Sequence, residues 1–469
     1  MKTTMILVGL LASASLHAAV IQQVIVRQQW PWSTDVKVEY KLAEVTAPVD
    51  ISVKAFNGNT ELPLPAEAVS GDLYGISESG IGQFIIDPVK AFGNTKVAIA
   101  DFRVELEVTD SAANISEVIY KIFSLTNSSQ AEINITRADL LNGKYGSYVT
   151  DFSSLGSGFN SSAADVLIWT GVTNNPAYKD THLVMRKIPA KDNSFMIGSP
   201  VGEVGREDAS GSAGSETQVS VRFTNDYYMA VFELTQAQYR RVVGASPSSY
   251  SGEDAALHPV ENVSYKAIRH GGSTLIGPSG EKINWPTNSH PHEVASDSFL
   301  ASFRTATGSV HEFDLPTSAQ WEYACRAGTT TAFNNGKNLP SKSWSANVAA
   351  VAASSAWFAE TETEAQANNN PTHIVGLKAP NAWGLYDMHG NVGEWCLDHY
   401  SKSHNPEGLA ELTDPSGVFD SANNRTYRGG SARKPAWNVR SATHSDSLWQ
   451  GNSSAMVGIR LAFQVGAGE

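Results

Sequence analysis

The stretch that most constrains this chain is residues 381–398, NAWGLYDMHGNVGEWCLD. Gly384, Gly390 and Gly393 are set among Trp383, Tyr386 and Trp395 and the acids Asp387, Glu394 and Asp398. Glycines at this density admit tight, left-handed backbone turns that a helix or strand would not need. The segment therefore predicts an ordered loop pinned by its aromatics. Asp387, Gly390, Val392 and Glu394 alternate side-chain carboxylates with loop carbonyls, the mixture of oxygen donors that a hard cation such as calcium takes. An acidic loop whose carboxylates cap backbone amides fits the same residues.

A chain of 469 residues has room for two or three domains and a sizeable core. Its 41% hydrophobic and 17% charged content is that of a globular protein. A net charge of -13 argues against a nucleic-acid partner, since nothing offsets phosphate repulsion. Beyond the N-terminus there is no run of about 18 apolar residues, so no membrane span is expected.

Lys2, the apolar run 5–16 and the small Ala18 and Ala19 read as a secretory signal peptide over 1–19. No cysteine stands at the cleavage point, so a lipid anchor is not expected and the mature chain should be periplasmic or secreted. In that oxidising setting Cys325 and Cys396 form one disulfide or stand as two buried thiols.

Residues 20–123 read as strands. Val24 and Val26, then Val36, Val38 and Tyr40, then Ile51, Val53 and Ala55 alternate with polar neighbours at period two. Further strands are expected at 84–86, 97–100 and 102–108, punctuated by turn signals such as Asn57-Gly58 and Asp87-Pro88. This spacing predicts an antiparallel β-sandwich of roughly immunoglobulin size, about 100 residues. Trp30-Pro31-Trp32 suits either a core plug or a carbohydrate-stacking platform.

Residues 124–165 are rich in Ser, Asn and Gly and read as a connecting segment, strand-forming where Ile133 and Ile135 alternate. A second domain is expected over 166–466. It should contain strands near 183–188 and 219–223 and a helix capped by Thr235. A further helix should begin at the capping box Thr317-Ser318-Ala319-Gln320 and end at Gly328. The rest is loop-rich and carries Trp344, Trp357, Trp383, Trp395, Trp437 and Trp449. Long loops in a compact domain usually carry its function.

Seven motifs occur in order: FMIGS at 195–199, ELTQAQY at 233–239, PVENVS at 259–264, LPT at 315–317 with QWEYA at 320–324, the opening stretch, RGGS at 428–431 and GIRLA at 458–462. Together they resemble the formylglycine-generating enzyme, or sulfatase-modifying factor, domain over about 180–465. The resemblance implies an α+β, loop-rich, C-type-lectin-like fold, here preceded by an unrelated all-β sandwich. It also implies a structural calcium site, with Asp387 and Glu394 as side-chain ligands and Gly390 and Val392 as carbonyl ligands. A further family calcium site would begin near Asn347-Val348.

Enzymes of this family hold copper(I) on a cysteine pair just after Gly-Gly-Ser, where soft thiolates select that ion. Residues 428–440 here contain no cysteine, so copper is not expected. Cys325 and Cys396 replace that pair only if the fold brings them together. His290-Pro291-His292-Glu293 has the residue types of a zinc or iron site and equally those of a solvated loop.

The leading reading is a secreted sulfatase-modifying-factor-like protein without the catalytic cysteine pair: a non-catalytic module that binds a protein, peptide or glycan. Its binding face would be the loop 431–456, with Arg433, Trp437, Asn438, Arg440, His444 and Trp449 as candidate ligand-binding residues. Arg440 and His444 would suit an anionic ligand. The alternative is a formylglycine-generating or other metal-dependent oxidase acting on exported sulfatases.

Overall fold

The computed structural model describes residues 19–28, 33–93, 99, 101–126, 132–150, 166–207, 216–271, 294–367, 372–401, 403–404, 408–416, 424–444 and 447–465. The signal-peptide run up to residue 18, Trp30-Pro31-Trp32, most of the strand expected at 97–100 and the 290–293 motif lie outside the described residues. The chain divides into two compact units. One is the chain through Ile119 together with 135–149 and 169–172; the other is 120–134, 150–168 and 173–469.

The first unit is the expected sandwich. Its strands are β1 (Val20–Gln28), β2 (Val36–Ala43), β3 (Val49–Asn57), β4 (Thr60–Leu62), β5 (Val69–Gly71), β6 (Gly80–Ile86) and β7 (Phe102–Asp110). They form an antiparallel sheet β1-β2-β6-β5 and a second antiparallel sheet β4-β3-β7. Period-two alternation sends Val38, Tyr40, Leu42, Ile51, Phe84 and Val104 into one core. Burying each such side chain stabilises the fold by about 1.5–3 kcal/mol.

Helix α1 (Pro88–Phe92) starts at Asp87, whose carboxylate accepts the N–H groups of Val89 and Lys90. The Ser/Asn-rich segment carries a second short helix, α2 (Arg137–Leu141), because Thr136 and Asp139 make a reciprocal capping box. Just after it, Asn142 Oδ1 accepts the N–H groups of Leu73 and Tyr74 and so belongs to the sandwich's own packing.

One boundary differs from the expectation. Strand β8 (Val118–Ser124), nearly all of which falls inside the 20–123 bounds expected for the sandwich, pairs antiparallel with β10 (His182–Ile188) of the second unit. The reason is burial: Ile119 through Phe123 are all buried, so the strand lacks the solvated face of a sandwich strand.

The second unit has the expected α+β, loop-rich character. Its first elements are β9 (Ile133–Thr136), β10, β11 (Ser194–Ile197), β12 (Val219–Arg222), β13 (Tyr227–Ala230), α3 (Gln236–Val243), α4 (Tyr265–Arg269) and α5 (Phe299–Ala306). Then follow α6 (Ser318–Arg326), α7 (Ala346–Ala352), β14 (Ala356–Trp357), α8 (Glu362–Ala367), β15 (His389–Gly390) and β16 (Gly393–His399). The last are β17 (Glu411–Thr413), β18 (Asn424–Arg428), β19 (Ser447–Trp449), β20 (Val457–Gly458) and β21 (Ala462–Gln464).

A five-stranded sheet runs β21-β13-β10-β8-β9, and a four-stranded sheet runs β19-β18-β16-β20. Two small sheets, β11-β12-β17 and β14-β15, complete the set. Both predicted helix starts form: the predicted capping box of Thr317 with Gln320 starts α6, and Thr235, expected as a simple cap, starts α3 in a capping box with Gln238. Helix α6 is closed one residue earlier than expected, by Ala327 in left-handed conformation at φ 44°. Every residue of α6 is buried, and the core around it includes Trp321, Trp395, Phe313 and Phe463. No helix among the described residues is long and apolar enough to cross a membrane.

Candidate functional site

The opening stretch forms an ordered loop that leads through β15 into β16, whose seven residues are all buried. Asp387 sits at φ 59° and Gly390 at φ 85°. A Cβ at Gly390 would lie 1.5 Å from the Trp357 carbonyl oxygen, so only glycine lets β15 meet β14. Asp387 Oδ2 accepts the Gly376 N–H at 2.6 Å, while Oδ1 is buried with no partner. Burial lifts its pKa to about 6, against the pull of that hydrogen bond and of Arg460 and Lys179.

Glu394 is differently placed. Arg460 Nε lies 2.9 Å from both of its oxygens, Arg460 Nη2 lies 2.6 Å from Oε1, and Trp321 Nε1 donates to Oε2. The same guanidinium donates to the carbonyls of Ala230, Val231 and Tyr386. Glu233 completes the cluster by accepting the Val392 N–H at 3.0 Å and the Asn391 side-chain amide at 2.6 Å. Burial, reinforced by Asp387 and Glu394, pushes the Glu233 carboxyl far above its ordinary range.

Of the four groups that the resemblance gives to calcium, Asp387 thus has an open oxygen that fits a cation. Glu394 has both oxygens turned to Arg460, with Trp321 on one of them.

The segment after Gly-Gly-Ser is equally well filled. Arg440 is fully buried and pairs with Glu203 at 2.6 Å and with both oxygens of Glu216 at 2.9 and 2.7 Å. Its remaining donors reach the carbonyls of Trp437 and Gly205. Every donor nitrogen of that guanidinium therefore has a partner within the fold. Trp437 packs edge-on against Trp344 at 4.9 Å, Asn438 closes a short 3-10 turn over 436–438, and Arg433 is partly buried. Trp449 is 40% exposed on β19.

The two cysteines are free, buried thiols, the second of the two arrangements open from the sequence, and not the disulfide. They have separate surroundings. Cys325 Sγ lies 3.7 Å from His389 Nε2 and 3.6 Å from Ser441 Oγ, whereas Cys396 Sγ faces the Glu394 carbonyl at 3.7 Å. Burial pushes Cys325 up to about 12 and Cys396 well above its ordinary value. The thiolate is the reactive and metal-binding form, so both sulfurs are held in the inert one.

Of the six candidate ligand residues, His444 lines a small pocket open to solvent, with an enclosed volume of ≈ 30 Å³. Besides His444, the pocket is lined by Ser318 at the start of α6, Asp398 and His399 at the end of β16, Ser401 and His404 just beyond, and Ile197, Leu412 and Pro415. Ser318 N–H donates to Asp398 Oδ2 at 2.7 Å, and burial raises the Asp398 carboxyl to about 6. The His404 and His444 rings stand 4.0 Å apart. Asp398, His404 and Ser318 received no site role from sequence. The readable signal was a pair of polar residues, Asp398-His399, ending a wholly buried strand.

A family model, the sulfatase-modifying factor enzyme 1-like domain, matches residues 184–465. The chain belongs to this family. A curated relative, "Chaperone protein LppX" of Paenibacillus barcinonensis, is 29% identical over 231 residues, covering 47% of this chain and 78% of its own. The formylglycine-generating enzyme of Streptomyces coelicolor is 35% identical over 122 residues, covering 25% of this chain and 35% of the enzyme. The chain thus spans about a third of the length of that enzyme. Among solved structures, Treponema denticola variable protein 1 aligns with a TM-score of 0.42 at 22% identity, over 61% of this chain and 96% of that one. PvdO from Pseudomonas aeruginosa aligns with a TM-score of 0.43 at 21% identity, over 60% and 94%.

Proposed function

We propose that this member of the sulfatase-modifying factor family is a non-catalytic, extracytoplasmic module that binds a polypeptide partner. The observation that carries the proposal is the cysteine-free segment 428–440, whose Arg440 is built into the fold. A thiolate pair is what would hold copper(I) there. The cysteines at 325 and 396 do not supply one, because each is buried as a thiol among different neighbours. The chaperone relative, matched over most of its length, supports binding rather than turnover. The leader-like residues 1–19 support export, and mass spectrometry of the secreted chain tests it: the mature N-terminus should lie next to Ala18 or Ala19.

Calcium enters this reading as a structural ion. Asp387 Oδ1 is the open ligand atom, and the carbonyls of Gly390 and Val392 are the other groups that would hold it. Bound there, it would add positive charge beside Asp387 and Glu233. Adding EGTA should lower the melting temperature of wild-type protein and leave Asp387→Asn unmoved.

The binding reading is tested with the full mature chain and a thermally unfolding client protein followed by light scattering. Suppressed aggregation at near-stoichiometric ratio is the expected result. Conversion of the cysteine in a sulfatase-derived peptide to formylglycine, seen by mass spectrometry, would overturn the proposal.

A further inference from the structure

The pocket at the end of β16 brings buried polar atoms without a hydrogen-bond partner to the lining of an open space. His444 Nε2 lies 2.9 Å from the Ser401 carbonyl oxygen. A carbonyl only accepts, so Nε2 carries the proton and Nδ1 presents a bare lone pair. That Nδ1 is buried without a partner, as are His404 Nε2 and Ser318 Oγ. Unmatched buried polar atoms are rare in folded proteins and cost free energy until a partner reaches them.

Both imidazoles are held neutral. Burial, then Arg428, brings His404 down to about 3; burial, then His404 and Arg428, holds His444 well below its ordinary value. Arg428 is itself engaged by Glu322 and by the carbonyls of Ala442 and Thr443. Arg425, the other guanidinium acting on Asp398, donates to the Leu397 carbonyl and lies over the Tyr265 ring.

The bare His444 Nδ1 lone pair and the Asp398 carboxylate therefore set the polarity of the pocket, and they repel an anion. Ile197, Leu412 and Pro415 give the same pocket an apolar wall. Long-range charge acts in the same sense, because the chain carries a net -13. Bare imidazole nitrogens are also metal ligands, yet among the described residues no three His, Cys, Asp or Glu side chains are grouped to hold an ion.

We propose that this pocket binds a primary alkylammonium group, whose N–H donors meet His444 Nδ1 and the Asp398 carboxylate while its methylenes lie along Ile197, Leu412 and Pro415. The ligand is either a free amine or the side chain of a lysine in a polypeptide, and the inference holds whether or not the chain is a chaperone.

The test uses the full mature chain with histidine ring carbons labelled for NMR, at neutral pH. The probes are butylammonium, acetyl-lysine methylamide and butyrate. The expected result is saturable shifts of the His404 and His444 signals with at least one amine and none with butyrate. Affinity should fall about tenfold or more in Asp398→Asn. That variant keeps an oxygen for the Ser318 N–H; His404→Gln is the second variant and should weaken binding too. A response to the lysine amide alone assigns a polypeptide source, and a response to butylammonium alone assigns a free amine. An equal response to butyrate, no response to either amine, or affinity unchanged in both variants would overturn the proposal. So would zinc ions saturating the two histidines while both amines fail.

Discussion

Arg440 and His444 are four residues apart, both buried and polar, and the fold treats them in opposite ways. Arg440 is met on all sides by Glu203, Glu216 and two carbonyls. His444 has one nitrogen on the Ser401 carbonyl and the other on nothing. A buried charge with every donor matched holds architecture together, and removing it strands its partners. A buried acceptor with no match is an opening for a ligand. The cluster of Glu394 and Arg460 belongs to the first kind and the pocket at Asp398 to the second.

Removing Arg460 should break this contrast most severely. Arg460→Met leaves Glu394 uncompensated beside Asp387 and Glu233, which should cost about 3–5 kcal/mol in denaturant unfolding, the range for one partner of a buried pair. Soluble protein with unchanged stability would mean that the cluster is not architectural. Arg440→Gln should cost about 3 kcal/mol for the same reason. It should do so without altering amine binding at His444, which separates the two residues functionally.

Loss of the α6 cap in Thr317→Ala should cost about 1 kcal/mol, measured by the same unfolding curve. On the pocket side, His404→Gln should shift stability by no more than about 0.5 kcal/mol. A larger loss would make His404 part of the framework.

The smallest effect concerns pH. Glu132 is lowered from 4.5 to about 2; burial opposes the shift, and hydrogen bonds from His311 and Lys121 outweigh it. Its folded-state pKa is depressed, so its stabilisation is full above about 4.5 and lost as pH falls toward 2. Glu132→Gln should flatten the acid limb of the melting curve in that window alone.

Much of the fold was legible in the sequence because local rules and global packing agree there. Thr235 with Gln238 and Thr317 with Gln320 mark helix starts through their own side chains, and both capping boxes form. Alternation in β2 and β3 identified the sandwich face. The segment of β8 fell inside the 20–123 bounds because its mostly apolar text, broken by Lys121, does not say which unit covers it.

The site was less legible, for a different reason. Arg440 looked available because Glu203 and Glu216, which neutralise it, lie 237 and 224 residues away in the chain. The pocket brings together Ser318, Asp398, His404 and His444 from three separated segments, and no spacing rule joins them. The expected oxidising compartment left a disulfide open as one of two readings, but compartment says nothing about distance, and the fold leaves Cys325 and Cys396 in different surroundings.

The central claim is that a sulfatase-modifying factor scaffold is retained here without its copper-thiolate centre. A copper(I) titration of the purified mature chain against a competing chelator tests it most directly. The account predicts that wild type and the Cys325→Ser, Cys396→Ser double variant leave the chelator equally loaded. Stoichiometric copper(I) uptake by wild type that disappears in either single cysteine variant would contradict it.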